Sequence, residues 1–452
     1  MSLFTAADKA LWRLALPMIF SNITVPLLGL VDTAVIGHLD SPVYLGGVAV
    51  GSMATSFLFM LLLFLRMSTT GLTAQAYGAK DPQRLARALV QPLLLALAAG
   101  FAIVLLRTPL IELALHIVGG SDAVLEQARR FLEIRWLSAP ASLANLVLLG
   151  WLLGVQYARA PVILLVVGNV LNIVLDLWLV MGLHMNVQGA ALATACSEYV
   201  TFFIGLLMVR RVLHLRGISL ALLKEAWRGN VRRLLALNRD IMLRSLLLQL
   251  CFGALTVFGA RLGSDIVAVN AVLMTMLTFT AYALDGFAYA VEAHSGQAYG
   301  ARDDSQLLHV WKAACRQSGL VALAFAMIYA VGGEHIVAML TSLPQLRELA
   351  DRYVIWQVIL PVIGVWCYLL DGMFIGATRG AEMRNSMAVA AAGFALTLLT
   401  VPLFGNHGLW LSLAVFLALR GLSLAWIWRR HWQRGTWFSL SSSVLDRHTP
   451  FF

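Results

Sequence analysis

Apolar residues run along this chain in stretches of about twenty, the length at which an α-helix crosses the hydrocarbon of a bilayer, and the polar positions gather in short clusters between them. Twelve such stretches stand out, over 12–37, 46–66, 88–106, 131–156, 160–182, 187–208, 242–261, 266–290, 313–333, 352–376, 386–405 and 408–428. The predicted fold class is an all-α integral membrane protein of twelve transmembrane helices.

The pattern repeats. Gln75-Ala76-Tyr77-Gly78-Ala79-Lys80-Asp81 returns 222 residues later as Gln297-Ala298-Tyr299-Gly300-Ala301-Arg302-Asp303. The same offset pairs Gly37 with Gly259, Ala49 with Ala271, Val50 with Val272, Phe57 with Phe279 and Gly154 with Gly376. Two copies of one six-helix unit follow, an arrangement used by transporters that enclose a substrate path between pseudosymmetric halves. The expected organisation is a first lobe over 1–208, a basic linker over 209–240, a second lobe over 241–437 and a tail over 438–452 that reads as disordered.

Composition agrees with a bilayer protein. Sixty per cent of residues are hydrophobic, 12% are charged and mean hydropathy is +0.81. The net charge of +10 would suit a nucleic-acid binder, but sorting Lys and Arg by loop places 26 of 33 on the side of the first end. That bias is topogenic: both termini are expected in the cytoplasm, and no nucleic-acid partner is expected. Arg129, Arg130 and Arg135 are exceptions on the other side, and snorkelling to headgroups accounts for them at this stage. The charges inside the spans read as chiefly acidic.

The first apolar stretch is long enough to be its own insertion signal, with no cleavable leader. Cys196, Cys251, Cys315 and Cys367 all lie in spans and read as small core residues. The linker, with Leu220, Leu222, Leu223 and Trp227 at helical spacing among eight arginines and lysines, reads as an amphipathic helix on the inner leaflet.

Chemistry is sought where polar groups cost most. Asp32 stands deep in the first span after Pro17 and Pro26, and a carboxyl there must pair, protonate or face water. In the fifth span Asn169, Asn172 and Asp176 share one helical face, as do Thr194 and Glu198 in the sixth, with Asn145 near the middle of the fourth. These groups either join helices through hydrogen bonds or serve transport, Asp32 and Asp176 as proton sites and the others as a substrate or polar network. The duplication bears on Asp32 and Asp176: the positions 222 residues on are Ala254 for Asp32, Phe394 for Asn172 and Leu398 for Asp176, so the same unit folds without them. The second half offers Asp285, Glu292 and Asp371. Glu292, beside His294 near a span end, reads equally as a solvated or salt-bridged surface group. The histidines form no ligand cluster and no metal is expected.

The twelve spans in two repeats, the Gln-Ala-x-Gly-Ala-x-Asp element, Gly376-Ala377-Thr378-Arg379 and the first-span Val31-Asp32 resemble the multidrug and toxic compound extrusion (MATE) family, and within it the DinF-like branch of bacteria. The resemblance implies a V-shaped pair of six-helix lobes in a bacterial inner membrane, alternating access, no cofactor, a single-chain unit within membrane lipids, and export of amphipathic or cationic organic compounds. Exchange would be against protons, or sodium. It makes Asp32 and Asp176 the coupling carboxylates, with Asn172 and Thr194 as neighbours and Pro17, or Pro26 nearer to Asp32, as the residue of helix bending. Asp371 resembles a second-lobe sodium ligand of other branches only loosely, the seventh span lacking an acidic partner. A lipid-carrier flippase of the same superfamily is the alternative, and such proteins often have a strongly cationic cavity. Against an enzyme stands the absence of a nucleophile constellation or a phosphate loop.

Overall fold

The structure is a computed structural model that describes residues 4–39, 41–229 and 231–438, and within α1 the side chains of 26–33 are outside the description. Among the described residues there is no strand. The helices are α1 Ala6–Gly37, α2 Pro42–Leu61, α3 Phe64–Gly78, α4 Pro82–Leu105, α5 Arg107–Val118, α6 Asp122–Arg135, α7 Ala139–Gly154, α8 Arg159–Asp176, α9 Asn186–Leu215, α10 Leu220–Glu225, α11 Arg232–Arg261, α12 Ser264–Ala301, α13 Asp304–Leu340, α14 Pro344–Gly376, α15 Gly380–Thr397, α16 Val401–Phe404 and α17 Asn406–Arg434. Among the described residues, eleven stretches are long and apolar enough to span a bilayer, with α2–α3, α6–α7 and α15–α16 each counting as one. The 32 residues of α1, about 48 Å of helix, make the twelfth.

Several spans are longer than their hydropathy suggested. The second runs on from 66 to Gly78, and this extension carries Ser68, Thr69, Thr70, Thr73 and Gln75, all buried. A polar run stays helical here because protein rather than lipid surrounds it. Thr69 Oγ1 donates to the Leu65 carbonyl at 2.6 Å and Thr70 Oγ1 to that of Arg66 at 2.9 Å, which satisfies these two hydroxyls within the helix.

The repeated heptapeptide is a helix stop joined to a helix start. Lys80 and Arg302 both adopt the left-handed conformation, at φ 53° and 52°. The next amide closes the turn, Asp81 N on the Ala76 carbonyl at 3.2 Å and Asp303 N on that of Ala298 at 3.0 Å. The aspartate side chain then caps the following helix, Asp81 Oδ1 accepting from Gln83 N at 3.1 Å and Asp303 Oδ1 from Gln306 N at 3.1 Å. The motif tyrosines are covered alike: Arg216 stacks 4.6 Å over Tyr77, and Phe438, 222 positions after Arg216, lies 5.4 Å from Tyr299.

The duplication also extends to glycine packing. A Cβ at Gly150 would lie 2.7 Å from the Arg66 carbonyl oxygen, and one at Gly372 would lie 2.7 Å from that of Ala288, the position 222 residues on. Four residues later Gly154 meets Thr73 and Gly376 meets Ser295, again equivalent positions. Both units therefore bring a pair of helices, α3 with α7 and α12 with α14, close enough for backbone to touch backbone.

Two compact units result. One is Phe20–Leu234, and the other joins the stretch through Ile19 to the chain from Leu235. The start of α1 thus packs with the second repeat: Trp12 stands edge-on to Phe287 at 4.9 Å and donates to Gln317 Oε1 at 3.0 Å, while His294 bonds the Ala10 carbonyl at 3.1 Å. The helix is continuous through Pro17 and Pro26. In place of one amphipathic linker helix, α9 continues to Leu215, α10 is a six-residue helix and α11 begins at Arg232; Leu222 and Leu223 pack on the core beside α4 and α9, and Trp227 is exposed. Cys196 is exposed, so it is no core residue, unlike Cys251 and Cys367. The tail beyond 438 lies outside the described residues.

Candidate functional site

In the first unit the polar groups of α8 and α9 meet as their spacing predicts. Asn172 and Asp176 are 3% and 1% exposed, which places the shared face of α8 inward. Asn172 Nδ2 donates to Thr194 Oγ1 at 3.2 Å. The threonine proton is in turn directed to the Ala190 carbonyl at 3.2 Å, so Thr194 is held as an acceptor and the Asn172 amide is oriented. Asn172 Oδ1 and Asn169 Nδ2 are buried with no protein partner among the described residues, one acceptor and one donor on the same helix. Such groups accept a proton-bearing carboxyl or a ligand at little cost, because their desolvation is already spent.

Asp176 is the last residue of α8, where the helix widens. Leu177–Gly182 continue as a π-helical segment, with Leu183 N on the Trp178 carbonyl at 2.9 Å. Wide turns of this kind interrupt the regular ladder and recur at functional sites. Nothing in the apolar run around Asp176 announced it. Asp32 and Pro26 have side chains outside the described residues. Pro17 is half-buried in α1.

Asn145 joins a second cluster. Its Nδ2 donates to both the carbonyl and Oε2 of Glu198, at 3.1 and 3.0 Å, and Arg135 Nη2 lies 3.8 Å from Glu198 Oε1. Arg135 also donates to Ser138 Oγ at 2.6 Å and covers the Phe59 ring at 5.3 Å. It is buried, so snorkelling to headgroups is not its role. Arg129 and Arg130 are likewise engaged by acids, Arg129 by Glu112 and Glu126 at 2.6 Å each and Arg130 by Glu126 at 3.5 Å. The Arg129 hydrogen bonds hold the exposed Glu112 carboxyl below its ordinary pKa.

The second unit contains the largest departure from expectation. Asp371 on α14 accepts from Arg244 of α11 at 2.7 Å and from Arg420 of α17, all three groups buried. Both arginines lie inside the predicted spans 242–261 and 408–428 but were not singled out by the sequence; a deep arginine gives no hydropathy signal that separates it from one at a span end. With Arg66 and Arg135 also buried, the interior is not chiefly acidic. Asp285 lies within electrostatic reach of Cys367 and Tyr368, the neighbours of Asp371. Glu292 is 2% exposed, which corrects its reading as a solvated surface group. Among the described residues no cluster of three or more His, Cys, Asp or Glu could hold a metal.

Comparisons with known proteins agree with this architecture. The MatE family profile matches twice, over residues 17–178 and 241–403, once in each repeat. The chain is 84% identical over 439 residues to DNA damage-inducible protein F of Escherichia coli (strain K12), covering 97% of this chain and 96% of that protein. It is 23% identical to the probable multidrug resistance protein NorM of Acinetobacter baylyi, covering 92% and 93% of the two chains. A solved MATE structure described as the straight conformation superposes with a TM-score of 0.84 at 22% identity over 96% of this chain and 98% of that one. The chain is a multi-pass membrane transporter and belongs to the MatE family.

Proposed function

We propose that this transporter is a secondary antiporter that exports amphipathic or cationic organic compounds against protons, with the coupling carboxylates Asp32 and Asp176 in the first repeat. The observation that carries the reading is the contrast between the two units. On α8, Asp176 and Asn172 are buried along one face, and the Asn172 amide oxygen has no partner among the described residues. On α14, Asp371 is already neutralised by two guanidinium groups and is a poor site for a coupling cation. The reading assigns Asn172 and Thr194 to the proton and substrate network and leaves Asn145 and Glu198 as a structural tie. Asp32 is included on sequence alone.

Protonation of the carboxylate pair would remove charge that retains a cationic compound and alter the hydrogen bonds of α8 and α1. Coupling needs only that proton and substrate favour different states or exclude one another. The loop charges support an inner-membrane orientation with both termini in the cytoplasm. A single chain, which already contains both halves of the repeat, is the expected functional unit. The buried arginines recommend the flippase alternative less than their number suggests, because Arg135, Arg244 and Arg420 each face a carboxylate.

The test is efflux of a fluorescent lipophilic cation from proteoliposomes under a proton gradient and then a sodium gradient, in wild type, Asp32→Asn, Asp176→Asn and Asp371→Asn. Proton-driven efflux abolished by the first two substitutions supports the reading. Sodium-driven efflux indifferent to the first two substitutions overturns it.

A further inference from the structure

We propose that the end of α17 carries a binding site for an anionic phospholipid of the surrounding membrane. The last turns of this helix present two opposite faces. One packs against protein: Trp428 packs on Trp311 and on Trp432, ring centroids 5.6 Å apart in each pair, and His431 bonds Glu382 Oε1 at 2.8 Å and Thr436 Oγ1 at 2.7 Å. Arg379 completes the clamp, donating to the carbonyls of Thr436 and Trp437 at 3.0 and 2.6 Å under the buried Trp437 ring. These contacts hold the helix end in place.

The other face is open. Leu422, Trp426, Arg429, Arg430 and Gln433 fall at i, i+4, i+7, i+8 and i+11 and so form one stripe, with Arg434 beside it. Leu422 is 67% exposed and Trp426 62%. A groove of about 560 Å³ is lined by Trp426, Arg429, Arg430, Gln433 and Arg434. The Arg430 guanidinium lies 5.3 Å over the Trp426 ring, which turns it toward the apolar part of the stripe. Among the described residues no carboxylate forms an ion pair with Arg429, Arg430 or Arg434.

Along roughly 18 Å of helix the face passes from aliphatic to indole to guanidinium to amide. A phospholipid passes through the same chemistry from acyl chain to glycerol to phosphate to polar head. Indoles settle at the level of the glycerol, and guanidinium forks match phosphate oxygens two at a time. A soluble anion would explain the arginines but not the exposed leucine and indole that continue the groove into the hydrocarbon. A purely topogenic role would explain the charges but not their placement around one concavity on a clamped helix.

The full-length protein, purified in an uncharged detergent, is to be titrated with phosphatidylglycerol, phosphatidylcholine or inorganic phosphate. Bound lipid is counted by native mass spectrometry and stabilisation is followed by thermal melting. Wild type is compared with Trp426→Ala and with the triple variant Arg429→Gln, Arg430→Gln, Arg434→Gln. Phosphatidylglycerol is expected to bind wild type saturably, the triple variant roughly a hundredfold more weakly and Trp426→Ala roughly tenfold more weakly, with no comparable binding of phosphatidylcholine. Equal retention of phosphatidylglycerol by wild type and triple variant would overturn the proposal, as would inorganic phosphate stabilising the protein as well as the lipid does. Should the triple variant fail to fold, Arg434→Gln and a salt titration replace it: wild-type affinity for the lipid must fall as salt rises from about 0.1 to 0.5 M, and a flat response would likewise overturn the proposal.

Discussion

Asn172 donates to Thr194 across α8 and α9 at 3.2 Å while its own amide oxygen is buried with no partner among the described residues. The asparagine lies on the helix face that also bears Asp176. Asn172→Ala should therefore remove a functional group at small structural cost, about 0.5–1.5 kcal/mol of stability. Efflux in proteoliposomes is expected to fall at least tenfold while the melting temperature changes by only a few degrees. A variant that transports at the wild-type rate would confine Asn172 to helix packing.

Asp371 offers the opposite case. Asp371→Asn leaves Arg244 and Arg420 buried without their counter-charge and should destabilise the protein by about 3–5 kcal/mol. Replacing Arg420 by Met in the same chain should restore part of that loss, because one buried cation instead of two is then left without a counter-charge. Denaturation of the two variants in detergent measures the difference, and an Asp371→Asn protein as stable as wild type would show that the cluster is not a charge lock.

The equivalence of Gly150 and Gly372 is testable by symmetry. An alanine at either position puts a methyl group 2.7 Å from a carbonyl oxygen of the facing helix. Each substitution should cost roughly 1–3 kcal/mol, and the two costs should be similar, since the same helix pair is pushed apart in each unit. Thermal melting of Gly150→Ala and Gly372→Ala provides the comparison.

At the start of α1, ahead of its apolar stretch, Asp8 closes a capping box with Thr5. Thr5 N donates to Asp8 Oδ2 at 2.8 Å, Asp8 N donates to Thr5 Oγ1 at 3.3 Å, and Arg316 Nη2 lies 3.1 Å from both carboxylate oxygens. Burial works to raise the pKa of this carboxyl, but the bonds from Thr5 and the charge of Arg316 outweigh it and hold the pKa below the ordinary value of 3.8. Because the folded-state value is the lower one, the contribution to stability is present above the unfolded value and is lost as pH falls through the folded value. Acid melting curves of wild type should lose this contribution below about pH 4, whereas Asp8→Asn should lack that part of the pH dependence.

Much of the candidate site was legible before any fold was known. The face shared by Asn169, Asn172 and Asp176 follows from helical spacing in an apolar run, where three polar groups on one side have nowhere else to point than inward. Glu198 and Asn145 were likewise visible as costly groups in spans. Their pairing with each other, and the distinct pairing of Asn172 with Thr194, depends on the rotation of α7, α8 and α9 about their axes, which hydropathy does not encode. The π-helical segment after Asp176 was invisible for a similar reason, since it changes hydrogen-bond register without changing composition.

The sequence by itself determined the spanning helices and their duplication, because these are local consequences of apolar length and of a repeated motif; that the motif stops a helix at Lys80 and Arg302 came from the structure. Only the tertiary structure decided which charges cancel. Asp371 meets Arg244 and Arg420, which are 127 and 49 positions away in the chain. It likewise assigned the start of α1 to the second repeat, through Trp12 on Phe287 and Asp8 on Arg316. Partners of that kind are chosen by the packing of whole helices, and the free energy of a buried charge depends on what stands within a few ångströms of it and not on its neighbours along the chain.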